Sequence, residues 1–570
     1  MSAAHRFPPL LSYTDSKDSA PYEAWRDSFR LKVPSKFNFA YDVLGAIAAD
    51  RPGATALVTC DDQGASKSYT FGEIEQASNR AASFFLRCGL RKGDAVLLLL
   101  RRRPEFWFAL LGLHKIGAVA VPGTHLLTAK DIAFRVKAAD IRMIVAVDSP
   151  FLRNHISEAE EMIEPGVILK ALVHDDNAGM DGGWVSFNRG MDAESGVFTK
   201  PRDTDLPGPK DPMLIYFTSG TTGHPKMVMH DFLYPIGHIV TAKHWQQVKI
   251  GGLHLTLADT GWAKAAWGKI YGQWFAGCAV MAYDFDRFNP RKLLDVIQEH
   301  GVTSFCAPPT VYRFLIRENL ESWNLSALEH CTVAGEPLNP EVFDAFLRGT
   351  GIKLMEAYGQ TELTPVIGTF RGVEPRPGSM GKPAPLWDVC LLDDSGNECA
   401  PGIPGQIALR IGKQPPPGFM MITNNPGHHC ASAALVDGIY YTGDIARKDE
   451  DGYFWFIGRN DDIIKSSGYR IGPFEVESAL IEHPAVVECA VTGIPDPDRG
   501  NAVKATVVLA NGFKGSPELA TELQDFVKTS TAPYKSPRVI EFVKELPKTI
   551  SGKIRRVAIR EKDGSNPTKE

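Results

Sequence analysis

Tyr216-Phe217-Thr218-Ser219-Gly220-Thr221-Thr222-Gly223-His224-Pro225-Lys226 is built to meet an anion. It follows the apolar run Met213-Leu214-Ile215 and leads into Met227-Val228-Met229-His230. Glycines at 220 and 223 let the backbone bring N–H groups close to a ligand. The hydroxyls of Thr218, Ser219, Thr221 and Thr222 add donors, and Lys226 adds a full positive charge. Such a loop suits a polyphosphate, although Gly/Ser/Thr clusters also mark ordinary turns. It is not a Walker A loop, because His224-Pro225 separates Gly223 from Lys226 and Met227 follows the lysine.

Working back from that loop, the chain alternates strand and helix signals. Ala54–Thr59 reads as a strand, and Thr70 three residues before Glu73 predicts a capped helix running to about Cys88. Asp94–Leu100 is an unalternating apolar strand of the kind buried on both faces. Pro104 and Glu105 open an apolar helix that Gly117 closes, and Ala118–Pro122 is the next strand. This β-α-β unit with short connections implies a parallel sheet, and the pattern repeats with a helix over 131–139 and a strand over 143–147. No GxGxxG sits at these strand ends, which disfavours a dinucleotide fold. Residues 1–40 read as an extended arm over the surface, and Arg101-Arg102-Arg103 as a solvated helix start.

Beyond the loop a second α/β stretch runs to about Gly368, with strands at 279–283, 304–307 and 331–334. The texture then changes to short alternating strands, such as Val389–Leu392 and Gln406–Arg410, separated by Gly- and Pro-rich turns. Gly458-Arg459-Asn460-Asp461-Asp462 reads as a polar break, followed by a small α+β unit. The expected fold class is α/β. A large N-terminal domain, 1–460, contains parallel α/β sheets and a β-rich subdomain at about 370–458. A C-terminal domain, 461–570, sits on a hinge and is expected to move.

Composition bounds the function. A chain of 570 residues exceeds a single core, and 44% hydrophobic with 23% charged residues is globular. A net charge of -5 gives no reason to expect nucleic acid or an anionic membrane surface as partner. Nine cysteines, none with CxxC spacing, read as reduced thiols. His428-His429-Cys430 lacks partners at zinc-site spacing. No apolar run approaches a membrane span, Met1–His5 does not read as the start of a secretory signal, and the early Asp15, Asp18 and Glu23 argue against an organelle presequence. The expected location is therefore cytoplasmic ahead of the mitochondrial matrix, as a monomer or homodimer.

Four motifs stand in order: the Thr218–Lys226 loop, Glu356-Ala357-Tyr358-Gly359-Gln360-Thr361-Glu362, Tyr441-Thr442-Gly443-Asp444 with Gly458-Arg459, and Lys548-Thr549-Ile550-Ser551-Gly552-Lys553-Ile554-Arg555. Together they resemble the acyl-adenylate-forming superfamily over nearly the whole chain. Asp259–Gly268, Ala334–Asn339 and Asp461–Arg470 resemble the medium-chain acyl-CoA synthetases in particular.

The resemblance implies an acid–thiol ligase that uses ATP, Mg²⁺ and coenzyme A and passes through an acyl-AMP. A transfer to a carrier protein in trans is the alternative, since the chain ends too soon after Lys553 for a carrier domain of its own. By resemblance the 218–226 loop holds the β- and γ-phosphates, Thr361 contacts the α-phosphate region and Glu362 binds Mg²⁺. Asp444, with Arg459, takes the ribose. Gly335, Glu336 and Pro337, with Tyr358, form the adenine wall, Gly359 and Gln360 belong to the same cofactor site, and Arg470 reaches the phosphates. Lys553 is the adenylation lysine and Asp461 the hinge. Ser467, Gly468, Tyr469 and Arg499 belong to the CoA site. The acyl chain is expected near Trp262, Trp267, Val333 and Gly359. Relatives specific for acetate carry a tryptophan at the last position, so Gly359 favours a longer, branched or aromatic acid.

Overall fold

Thr70 and Glu73 form the reciprocal cap the spacing predicts. The Thr70 hydroxyl accepts from the Glu73 N–H at 3.2 Å, and the Glu73 carboxylate accepts from the Thr70 N–H at 2.8 Å. The helix they start, Phe71–Arg87, packs on the wholly buried helix Glu105–Ile116. Gly112 makes that approach possible, since a Cβ there would lie 2.7 Å from the Ala81 methyl. Gly117 ends the second helix at φ 72°, in the left-handed region glycine favours. The structure, a computed structural model, describes residues 7–14, 21–163, 169–174, 183–202, 205–218, 225–412, 414–422, 434–467, 469–549 and 553–564.

Among the described residues two large sheets organise the N-terminal part. One has seven strands in the order Trp184–Ser186, Leu169–Val173, Ile141–Val147, Ala95–Leu99, Val119–Pro122, Pro212–Thr218, Lys226–Asp231; only the last pairing is antiparallel. The other has nine strands, and its centre is the parallel run Leu354–Tyr358, His330–Ala334, Ser304–Ala307, Leu253–Thr256, Ala279–Asp284, Thr55–Asp61. Thr55–Asp61, early in the chain, thus pairs with Ala279–Asp284 across a long loop closure. The two sheets approach where Gly261 meets the end of Val119–Pro122, and a Cβ on Gly261 would lie 2.2 Å from Thr124 N.

Three expectations change here. Arg101-Arg102-Arg103 is not a solvated helix start. Arg102 is buried against Asp284 (3.3 Å), Asp259 (3.5 Å) and the Phe285 ring, and Arg101 pairs with Asp284 and Asp286. These partners come from the ends of strands in the other sheet, so local charge density gives no hint of them. The N-terminal arm is anchored rather than laid over the surface. Trp25 and Phe29 are buried, Trp25 packs on His244 and Phe370, and the Tyr22 hydroxyl donates to the Pro383 carbonyl. Gly458 and Arg459 end a strand, Phe454–Arg459, paired with Ile439–Lys448, so the polar break begins at Asn460.

The β-rich part is an antiparallel five-stranded sheet built on Asp388–Leu392, Gly405–Arg410, Leu435–Val436, Ile439–Lys448 and Phe454–Arg459. Past Asp461 come a hairpin (Ile464–Ser466 with Tyr469–Ile471) and a three-stranded sheet, Val486–Asp496, Gly500–Leu509 and Val539–Val543. Helices Pro473–Ile481 and Pro517–Ser530 share a core with that sheet. Contacts back to the larger part include Asn339 Nδ2 to the Ser478 carbonyl at 3.2 Å and Phe456 edge-on to Phe474.

Candidate active site

Thr218 and Lys226 are paired at the facing ends of two antiparallel strands, so the phosphate-type loop leaves and rejoins the sheet there. Ser219, Gly220, Thr221, Thr222 and Gly223 lie outside the described residues. The Lys226 ammonium is close enough to Glu362 to pull its carboxyl down, although burial, the larger effect, holds that carboxyl above the usual range. Thr361 is fixed from behind, because His230 Nε2 lies 2.7 Å from its carbonyl oxygen. A carbonyl only accepts, so His230 carries its proton on Nε2. Burial lowers the imidazole to about 4 and keeps it neutral.

Asp444 is the hub of the opposite wall. Its Oδ2 accepts from the Tyr358 hydroxyl at 2.5 Å and from Gln360 Nε2 at 2.8 Å. Gln360 is aligned by the Thr442 carbonyl (2.8 Å) and by the Tyr440 hydroxyl, which donates to Gln360 Oε1 at 2.9 Å. Both donors use one carboxylate oxygen, leaving Oδ1 for a diol. Burial raises the Asp444 carboxyl, against the pull of Tyr358, Arg459, Gln360 and Lys553. Arg459 stands opposite Asp444 in the strand register, and its Nε donates to Asp461 Oδ1 at 3.1 Å. Tyr358, expected as a stacking face, is therefore also tied through its hydroxyl to the carboxylate expected to take the ribose.

Gly335 turns at φ 113°, a conformation L side chains rarely adopt, directly after the strand His330–Ala334. The Glu336 carboxylate accepts from the Thr310 hydroxyl at 3.2 Å and pairs with Arg313 at 3.5 Å; Pro337 follows on the same loop. Lys264 Nζ donates to the Ala334 carbonyl at 2.9 Å. Burial lowers its ammonium, and Lys553 adds a repulsion. That places the Lys553 charge within reach of both Lys264 and Asp444. Lys553 itself is exposed and paired with Thr549, its N–H on the Thr549 hydroxyl (3.1 Å) and its carbonyl on the Thr549 N–H (2.7 Å).

The expected acyl-pocket residues separate. Val333 is fully buried in the helix-covered core with Cys331, because alternate residues of a strand face opposite ways; Ala334 takes the other face. Trp267 packs beside Trp245 and His238, with the Lys264 ammonium 5.8 Å from its ring centroid. Trp262 caps the helix Ala263–Lys269 and is half-buried. Gly359 is exposed, but a Cβ there would lie 3.0 Å from the Thr364 carbonyl oxygen, so the loop itself leaves little room for a side chain.

The expected CoA residues cluster on the C-terminal part. Ser467 takes φ 49° and donates its N–H to the Arg499 carbonyl at 2.9 Å, and Tyr469 stacks on Tyr534 with centroids 4.1 Å apart. Gly468 lies outside the described residues, and Arg499 is exposed. Arg470, expected at the phosphates, pairs instead with Asp394 of the β-rich sheet at 3.0 Å, since it projects from a hairpin that faces that turn. Sequence reading missed Lys264, His230 and Tyr440. The first two lie within or beside quoted motifs, where a charged or imidazole side chain between apolar neighbours was the available signal; Tyr440 had none.

A sequence profile described as "AMP-binding enzyme" matches residues 45–415, and one described as "AMP-binding enzyme C-terminal domain" matches 475–553. The chain is 42% identical to human "Acyl-coenzyme A synthetase ACSM4, mitochondrial" over 93% of its own length and 91% of that protein's. It is 38% identical to mouse "Acyl-coenzyme A synthetase ACSM3, mitochondrial", covering 98% and 96%. Among solved structures, the anthranilate CoA ligase AuaEII with anthranoyl-AMP superposes with a TM-score of 0.83 at 27% identity, covering 93% of this chain and 98% of that one. An acyl-CoA synthetase from Brucella canis superposes with a TM-score of 0.72 at 32% identity, covering 95% and 99%. The chain therefore belongs to the AMP-binding enzyme family.

Proposed function

We propose that this protein is an ATP-dependent acid–thiol ligase that converts a carboxylic acid to its acyl-CoA through an acyl-AMP. A carboxylate oxygen attacks the α-phosphorus of ATP, the bond to the bridging oxygen of the β-phosphate breaks, and pyrophosphate leaves. The CoA sulfur then attacks the acyl carbon, AMP departs with the oxygen that joined them, and the thiol proton passes to solvent. The observation that supports this reading is the gathering of positive charge about two carboxylates: Glu362 feels Lys226 and Arg459, and Asp444 feels Arg459 and Lys553. Two anions must be brought together there, so the residues' work is neutralisation and orientation.

In this reading Thr218 and Lys226 hold the leaving pyrophosphate, and Asp444 Oδ1 takes the ribose hydroxyls while Tyr358 and Gln360 hold Oδ2. Lys553 stabilises charge as the carboxylate closes on phosphorus. The Glu362 carboxylate feels the charge of the phosphate lysine. That donor set fits Mg²⁺, which is bound by one or two carboxylates plus phosphate oxygens and waters. When bound, the ion would neutralise phosphate charge.

The acid is of medium length, branched or aromatic. Gly359 offers no side chain to close the slot, and structural neighbours include an anthranilate CoA ligase and a benzoate CoA ligase. No helix among the described residues is long and apolar enough to cross a membrane. Relatives named mitochondrial weigh against placing the cytoplasm ahead of the matrix. The eight described cysteines are free thiols, which fits either compartment. The deciding experiment measures ATP-dependent pyrophosphate release across butyrate, hexanoate, octanoate, branched acids and benzoate, with and without CoA. Release that yields thioester with CoA is expected; release without thioester overturns the ligase reading.

A further inference from the structure

Adjacent aspartates after the last strand of the β-rich sheet face opposite ways. Asp461 reaches back to Arg459 at 3.1 Å. Asp462 reaches forward: its Oδ1 accepts from Arg560 Nη1 at 2.5 Å, and its Oδ2 lies 3.7 Å from Arg556 Nη1. Arg556 Nη2 also donates to both oxygens of Glu477 at 2.7 Å. Glu477 sits on the helix Pro473–Ile481 and accepts from the Val491 N–H at 2.8 Å, which ties in the three-stranded sheet. Arg556 and Arg560 lie one turn apart on the helix Arg556–Lys562.

The Asp462, Glu477 and Arg560 side chains are 10%, 7% and 11% exposed, so water offers them little alternative and their pairing is stiff. The Arg459–Asp461 pair, at 50% and 39%, is wet and easily exchanged. Arg556 also follows Lys553 by only three residues. Between them the turn is closed by the Arg555 N–H on the Pro547 carbonyl at 2.8 Å and by the Thr549–Lys553 bonds.

We infer that Asp462, Arg560, Arg556 and Glu477 form an ionic bracket that makes Asp462 the first residue of the moving part and locks the Lys553 turn to it. Rotation at Asp461 then presents or withdraws Lys553 as a rigid lever. Arg556, Arg560, Asp462 and Glu477 are positioning residues that touch no substrate. The inference rests on the proposed two-step reaction.

The test compares Arg560→Met, Arg560→Lys and the double variant Glu477→Gln/Arg556→Met, which removes both charges together and strands neither. Each is assayed for pyrophosphate release from ATP and hexanoate and for thioester formation from supplied hexanoyl-AMP, with thermal stability recorded. Lys553→Ala is the reference, expected to lose the first half-reaction alone. Arg560→Met and the double variant are expected to lower kcat of the first half-reaction by about tenfold, the scale of a slightly misplaced catalytic group. The KM for ATP and the second half-reaction should stay within about twofold, and Arg560→Lys should recover most of the loss. Equal losses in both half-reactions, or lost stability with neither half-reaction changed, overturn the bracket. Should Arg560→Met not fold, the double variant decides alone. Wild-type protein that releases no pyrophosphate would instead overturn the proposed reaction.

Discussion

Arg459 Nε donates to Asp461 Oδ1 at 3.1 Å, while Arg459 also stands opposite Asp444 across two paired strands. One guanidinium thus links the carboxylate expected to hold the ribose to the expected hinge. Both partners are half in water, so breaking the pair costs no more than about 1 kcal/mol.

Among the described residues the Asp461 N–H makes no hydrogen bond, so a proline there removes none and acts only by fixing φ. Asp461→Pro is expected to leave pyrophosphate release from ATP and acid near the wild-type rate while slowing thioester formation from supplied acyl-AMP. Stopped-flow measurement of each half-reaction checks this, and undiminished thioester formation counts against a pivot at Asp461.

Tyr358→Phe removes the 2.5 Å hydrogen bond to Asp444 Oδ2. A hydrogen bond to a charged group contributes about 1.5–3 kcal/mol, so kcat/KM for ATP should fall by roughly tenfold to a hundredfold. The pH dependence should move as well. Burial raises the Asp444 carboxyl and Tyr358 opposes that rise. Without the hydroxyl the carboxylate holds its proton to a higher pH, so the acid limb of kcat/KM for ATP should shift upward. A limb that stays in place would mean Asp444 does not control it.

Glu356 is fully enclosed beneath the site, and burial pushes its carboxyl from 4.5 up to about 8 against the weak pull of the Leu338 N–H. Between those values the folded protein holds a proton the unfolded chain has released, so stability falls as pH rises through that window and levels off above about 8. Glu356→Gln removes the slope. The thermal midpoint should rise more, relative to wild type, at pH 8 than at pH 5; an equal change at both would contradict a neutral Glu356.

How far the sequence reached is visible in particular residues. Thr70 with Glu73, and Pro104 with Gly117, are read correctly because caps and glycine ends are set by neighbours within a few positions. The four motifs name the site because the chemistry fixes residue types at short spacing. Tyr358 and Asp444 are 86 positions apart, and nothing local says that the phenol will donate to that carboxylate. Arg102 looked like surface charge since its partners Asp259 and Asp284 arrive from another sheet. Val333 lies in the helix-covered core, which resemblance does not reveal because it names a strand without saying which way its alternating residues point.

Trp267 and Trp262, five residues apart, should behave differently. Trp267→Ala removes ring contacts with Trp245 and His238 and should lower the thermal midpoint. Trp262, equally half-buried, has no such ring partner among the described residues, so Trp262→Ala should spare stability and broaden the range of acids accepted. An unchanged acid profile in Trp262→Ala would remove that residue from the pocket. This is a cleaner probe than Gly359→Trp, which would also press on Thr364 and Pro365.

The most direct test follows one oxygen atom. Hexanoate labelled with oxygen-18 in both carboxylate positions is incubated with the enzyme, ATP, Mg²⁺ and CoA, and the products are weighed by mass spectrometry. Attack of the carboxylate on the α-phosphorus leaves one labelled oxygen on AMP and none on pyrophosphate, alongside hexanoyl-CoA. Label in inorganic phosphate with release of ADP, or thioester formed with unlabelled AMP, would contradict an acyl-AMP and with it the roles given to Asp444, Glu362 and Lys553.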